Sequence, residues 1–154
     1  MFDEIDHKII LLLQENARLS NAALAEAVGL TISTVHERVK KLERKGVIKG
    51  YVAVVDAAAL GKPITAFIRL MVGAQADYIE SKNRVEAVCQ AEPDVLECHG
   101  VAGEDCYVLK VRVANPRELE RLIERIRTQA SIARSTTSIV LSTFKEGSTV
   151  VPQQ

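Results

Sequence analysis

Residues 20–48, SNAALAEAVGLTISTVHERVKKLERKGVI, constrain the fold most, because two short helical patterns flank a single break. Ser20 is a good N-cap for the first helix, which buries Leu24 and Val28. Gly29 sits where that helix must end and the backbone can turn left-handed. Thr31 or Ser33 can cap the second helix, whose Val35, Val39 and Leu42 share one face at i, i+4 and i+7. The same helix carries Arg38, Lys40, Lys41, Arg44 and Lys45. This is the layout of a helix-turn-helix whose second helix enters a DNA major groove.

The flanking patterns extend that unit. Asp3 can cap an upstream helix with Ile5, Ile9, Leu12 and Leu13 on one face. Val47 to Val55 reads as a strand, with Tyr51, Val52, Val54 and Val55 suited to a β-ribbon or wing. Asp56 to Pro63, with its alanine run, Gly61 and Pro63, reads as a linker. Beyond it the predicted order is strand 64–72, helix 77–91, strand 95–102, strand 106–113, helix 115–129 and strand 136–144. That β-α-β-β-α-β order is the ferredoxin-like split pattern. Asn115, Pro116 and Glu118 give the second of these helices a cap, a first residue and a capping-box partner. The expected fold class is therefore α+β, with a winged helix-turn-helix domain over residues 1–50, a β-ribbon and linker over 51–63, and a ferredoxin-like domain over 64–154. In the strand 64–72, Ile64, Ile68, Leu70 and Val72 suit a helix-covered face, whereas Phe67 and Met71 fall on the bare face. Apolar residues there suggest sheet-against-sheet dimerisation, against the alternative of scattered exposed side chains.

Composition decides less. Formal net charge is +0, which by itself does not suggest a nucleic-acid binder. From Thr31 to Gly50, however, six Lys/Arg stand against Glu37 and Glu43, and a local basic patch suffices for phosphate contact. No apolar run approaches the roughly 20 residues of a membrane-spanning helix, and no signal-peptide pattern opens the chain. Cys89, Cys98 and Cys106 are odd in number and irregularly spaced, which fits free thiols in a reducing cytoplasm. Cys98, His99 and Cys106 match no standard zinc spacing, and no metal or cofactor is expected. Cys106 reads as a small semi-buried residue, with a redox-sensing thiol as the alternative. No nucleophile triad, phosphate loop or acid/base pair supports catalysis, so an enzyme is not expected.

Two runs of residues now carry a family resemblance over nearly the whole chain. In the N-terminal half these are Arg18-Leu19-Ser20, Leu24-Ala25, Val28-Gly29-Leu30, Arg38-Val39, Leu42-Glu43, Gly46-Val47-Ile48, Gly50-Tyr51 and Leu60-Gly61. In the C-terminal half they are Val101-Ala102-Gly103-Glu104-Asp105-Cys106-Tyr107, Lys110-Val111 and Thr137-Ser138-Ile139-Val140. The chain resembles the Lrp/AsnC, or feast/famine, transcriptional regulators. The resemblance implies a homodimer joined through the C-terminal sheets and assembled further into octamers or other multiples of dimers. It also implies an amino-acid effector bound between dimers. Three positions depart from the family pattern: Ile32 stands where proline is frequent, Gly103-Glu104-Asp105-Cys106 replaces Gly-Asp-x-Asp, and Thr136 replaces arginine. The last two touch the implied ligand pocket and leave the effector's identity open.

Candidate residues follow. Toward DNA these are Thr31, Ser33, Thr34, His36, Arg38, Lys40 and Lys41: hydroxyls for base edges or phosphates, Arg38 for a guanine or a phosphate, lysines for phosphates. The alternative is a solvated charged helix face. Toward the effector they are Gly103, Glu104, Asp105, Cys106, Thr136, Thr137 and Ser138. There the acidic groups would meet an α-ammonium and the hydroxyls would help hold the ligand, the alternative being a plain hairpin turn. Three function classes stand: an effector-controlled DNA-binding regulator, a small-molecule-binding ferredoxin-like domain with a helical appendage, and an architectural DNA-organising protein.

Overall fold

The computed structural model describes residues 2–73, 77–130, 132–147 and 149–152. The chain divides into two units, Met1–Val54 with Phe144–Gln154, and Val55–Thr143.

The first unit holds helices α1 (Glu4–Glu15), α2 (Asn21–Val28) and α3 (Ile32–Arg44). Local chemistry fixes each helix end. Asp3 and Asp6 form a capping box at α1, with the Asp6 N–H donating to Asp3 Oδ1 at 2.8 Å. Ser20 caps α2, and Gly29 ends it at φ 72°, a left-handed conformation that glycine adopts without steric cost. The Leu30 N–H then donates to the Ala25 carbonyl at 3.0 Å, which closes the turn. Thr31 caps α3 through the Thr34 N–H. Ile9, Leu13, Leu24, Ala25, Val35 and Leu42 form the buried core.

Two expectations change in this unit. No strand forms over 47–55 among the described residues. A ribbon needs a second strand, and the chain instead passes into a turn in which Gly61 and Lys62 N–H groups donate to the Ala58 and Ala57 carbonyls. Val52, Val54 and Val55 are left exposed. The C-terminal tail, expected with the second domain, packs with the first unit. Gln14 Nε2 donates to the Val150 carbonyl at 2.9 Å, and the Val150 N–H donates to Gln14 Oε1 at 2.7 Å. This two-bond clasp imitates one rung of a β-ladder.

The second unit runs β1 (Ile64–Val72), α4 (Tyr78–Ala91), β2 (Val95–Gly100), β3 (Tyr107–Val113), α5 (Pro116–Ala130) and β4 (Ile132–Ile139). Its antiparallel sheet has the order β2-β3-β1-β4, the ferredoxin-like arrangement. Ala66, Ile68 and Leu70 of β1 and Leu109 and Val111 of β3 are fully buried against Val85 of α4 and Leu122 and Ile126 of α5. Each such side chain contributes about 1.5–3 kcal/mol of transfer free energy. The opposite face carries Phe67, 41% exposed, with Arg69 also exposed.

The last strand lies earlier than the predicted 136–144. Antiparallel pairing explains it: Ile132 sits opposite Val72 and Ile139 opposite Ala66, so β1 sets both ends. Past the bond from the Val140 N–H to the Thr65 carbonyl, β1 offers no further partner. The start is hidden in the sequence by the polar Arg134-Ser135-Thr136. Strand β2 also stops short of the predicted 102, because the Val101 N–H donates to the Cys106 carbonyl and closes a loop.

Candidate DNA-reading helix and effector loop

On α3, Val35 and Leu42 are buried, and this fixes the rotation of the helix. Ser33, Thr34, His36, Glu37 and Lys40 are exposed, whereas Lys41 is half-buried. The Thr31 hydroxyl lies 2.8 Å from that of Thr34 and 3.1 Å from that of Ser33, so three hydroxyls cluster at the N-terminal end of α3. His36 Nδ1 is 3.0 Å from Asn21 Nδ2, which tethers the ring to the start of α2. Lys45 Nζ stands 5.4 Å from the centre of the Phe2 ring, a cation–π contact. Tyr51 OH donates to Glu43 Oε1 at 2.9 Å. Burial, followed by the Glu43 carboxylate, pushes the Tyr51 pKa up to about 12. A groove of about 600 Å³ on this side is lined by Asp3, Ser33, Thr34, Glu37, Lys41 and Arg44, with Arg38.

Arg38 changes role. Its Nη1 donates to Asp3 Oδ2 at 2.7 Å and to Asp6 Oδ1 at 2.7 Å. Asp6 is nearly sealed, its side chain 2% exposed, so the guanidinium supplies charge compensation that water cannot. The Asp3 pKa is lowered, first by the Asp6 backbone N–H and then by Arg38, and the Arg38 pKa is raised by the two carboxylates. Arg38, expected to meet a guanine or a phosphate, holds α3 against the capping box of α1 through Nη1. The helical wheel set Arg38 on the flank of α3 but carried no sign of a partner more than thirty residues upstream.

In the second unit, Gly103 has φ 153°, which favours glycine and lets the β2–β3 loop reverse. Glu104 is exposed. Asp105 Oδ2 lies 3.7 Å from Arg69 Nη1, a partner the sequence reading missed. A charged residue between apolar neighbours in β1 was the signal that could have found it. Thr136 sits opposite Arg69 and Ser138 opposite Phe67, so both share the bare face with the Arg69–Asp105 pair. Thr137 sits opposite Ile68 on the other face, in a hollow beside Leu119 and Ile123. Cys106 packs against the core, and its N–H donates to the Leu70 carbonyl. The seven effector candidates therefore divide: Thr136 and Ser138 share the bare face with Arg69, which Asp105 approaches, while Thr137 and Cys106 turn inward. Among the described residues no group of three or more His, Cys, Asp or Glu could hold a metal ion.

Two domain models settle what the geometry suggests. Residues 2–49 match a winged helix-turn-helix DNA-binding model, and residues 65–150 match the Lrp/AsnC ligand binding domain. The chain belongs to the Lrp/AsnC family of transcriptional regulators. It is 37% identical over 142 residues to the HTH-type transcriptional regulator LrpA of Mycobacterium tuberculosis, covering 92% of this chain and 91% of that protein. A feast or famine regulatory protein from M. tuberculosis, solved with L-methionine, superposes with TM-score 0.89 at 36% identity, over 99% of this chain and 100% of that one. A transcriptional regulator from Neisseria meningitidis, also solved with L-Met, gives TM-score 0.91 at 27% identity, over 97% and 96%. This Lrp/AsnC chain thus carries both halves of the family architecture.

Proposed function

We propose that this Lrp/AsnC regulator reads duplex DNA with the outer face of α3 and answers to an amino acid at the effector loop of its second unit. One observation carries the reading: on a helix locked by buried Val35 and Leu42, the hydroxyls of Ser33 and Thr34 and the charge of Lys40 all stand outward. Ser33, Thr34 and His36 approach base edges, and Lys40 and Lys41 approach phosphates. Thr31 holds the start of the helix and Arg38 its seating. At the loop, Asp105 meets the effector's α-ammonium and exchanges its contact with Arg69, whose guanidinium then meets the α-carboxylate. Thr136 and Ser138 add hydroxyls, and Gly103 and Glu104 form the rim. The protein works in the cytoplasm as a homodimer joined through its sheets and assembled into octamers or other multiples of dimers. Methionine is the first effector to try, because two similar structures hold it.

The test is fluorescence anisotropy on the DNA upstream of the protein's own gene, across a salt series, with and without each amino acid. Affinity that falls steeply with salt and shifts with one amino acid supports the reading. Tight binding indifferent to every amino acid favours an architectural role, and binding no better than to random DNA contradicts the proposal. Asp105→Ala is expected to abolish the amino-acid shift while light scattering shows an unchanged dimer. A retained shift moves the effector site elsewhere.

A further inference from the structure

Cys89 stands near the end of α4 and Cys98 in the middle of β2, nine residues apart, yet the fold brings them into one cleft of about 400 Å³. Both side chains pack against the same core, and each thiol is the other's strongest electrostatic neighbour. Both thiols are only half-buried, so solutes that enter the cleft reach them. Lys82 lines the same cleft, with Glu86 and Glu97 as its acidic residues. An isolated buried thiol is inert, but two partly exposed thiols that line one open cleft have a chemistry of their own.

We infer that Cys98 and Cys89 form a hydroperoxide-responsive dithiol, with Cys98 attacking and Cys89 resolving. The Cys98 sulfur attacks one peroxide oxygen and breaks the O–O bond. This gives a sulfenic acid on Cys98 and releases water once the departing hydroxide takes a proton. The Cys89 sulfur then attacks the Cys98 sulfur, a second water leaves, and a disulfide joins α4 to β2. Overall, two thiols and one hydrogen peroxide give one disulfide and two waters. The thiols are oxidised by two electrons and the peroxide is reduced. A cytoplasmic thiol reductant reverses the step. Both thiols face one cleft, and the disulfide needs them to close to an S–S length of about 2.05 Å.

The electrostatics supports the division of roles. The Cys89 thiol, with help from His99, lowers the Cys98 pKa to about 7 despite burial and Glu86. The Cys98 thiol, together with burial, pushes the Cys89 thiol well up. Cys98 is therefore the thiolate of the pair near neutral pH, while Cys89 keeps its proton until the sulfenic acid forms. Cys106, the thiol that sequence reading weighed for a redox role, lies outside this pair.

The experiment treats the reduced full-length protein with hydrogen peroxide at neutral pH, then counts free thiols in denaturant and maps linkages by peptide mass spectrometry. The expected result is a fall from three free thiols to one, with Cys89 and Cys98 linked within one chain. Cys98 is expected to react at least about tenfold faster than Cys106. Cys89→Ser is expected to leave Cys98 as a sulfenic acid trapped by dimedone, and Cys98→Ser to keep both remaining thiols. Three surviving thiols in the wild type, or a linkage that involves Cys106 or joins two chains, overturns the inference. Thiol loss in Cys98→Ser at the wild-type rate overturns it too.

Discussion

The two units are held together by different means. The ferredoxin-like unit rests on a continuous aliphatic core between two helices and a sheet, with Ile68, Leu70, Leu109, Leu122 and Ile126 fully buried. The helix-turn-helix unit has a much smaller core and adds a charged cluster, in which Arg38 joins α3 to the Asp3–Asp6 capping box of α1. A larger core tolerates polar insertions at its margin, and the β2–β3 loop, the candidate effector site, sits at such a margin. The smaller unit instead relies on a few directional contacts to set the angle of α3, the helix proposed to meet DNA.

The largest expected effect lies in the sheet unit. Ile126→Ala removes a fully buried side chain and should cost about 3–4 kcal/mol there. Hydrogen exchange should show faster opening of α5 and β1 with α1–α3 nearly unchanged. Equally faster exchange in α1–α3 would contradict two separate cores. Next comes Arg38→Ala, which strands the sealed Asp6 carboxylate and should cost the small unit about 2–3 kcal/mol. Exchange should speed up in α1 and α3 and not in α5. A variant of wild-type stability with weakened DNA affinity would return Arg38 to the role of direct contact.

Acid gives a gentler test. The Asp3 pKa is lowered in the folded state, so the stability it contributes is present above the ordinary value near 3.8. That stability is lost as pH falls through the lower folded value. Glu92 behaves in the same sense in the sheet unit, where Arg125 binds both its oxygens at 2.7 and 2.8 Å and lowers its pKa. Thermal melts from pH 6 downward should stay flat and then decline below about 4.5, the ordinary value for Glu92, with the Asp3 contribution to α1–α3 lost below about 3.8. Asp3→Asn should flatten that decline in the small unit, and an unchanged decline would place the acid sensitivity elsewhere.

Legibility followed the range of the interactions. The helix-turn-helix was readable from Ser20, Gly29, Thr31 and the Val35/Leu42 spacing because caps and turns act within a few residues. Strand β1 was readable from its alternation, and α5 from Asn115 and its apolar stripe. The start of β4 was not, because Arg134 and Ser135 are strand residues only by pairing with Met71 and Leu70. The wing failed for the converse reason: Val52 and Val54 look like strand residues, but among the described residues no strand pairs with them. At the effector loop the acidic tip was visible, whereas the alternation of Thr136, Thr137 and Ser138 between two faces depended on register. Arg38 and Asp6 join segments far apart in sequence, and no local pattern announces them; Arg69 was marked only by its place between apolar neighbours in β1, which did not name Asp105 as its partner.

The central claim is that the outer face of α3 touches DNA while its flank is structural, and Lys40→Ala tests it most directly. The measurement is the slope of log affinity against log salt on duplex DNA, taken beside the wild type with melting curves for both. The account predicts unchanged melting and a slope shallower by roughly one, the loss of a single phosphate contact. An unchanged slope and affinity would contradict it and take this face of α3 away from the DNA.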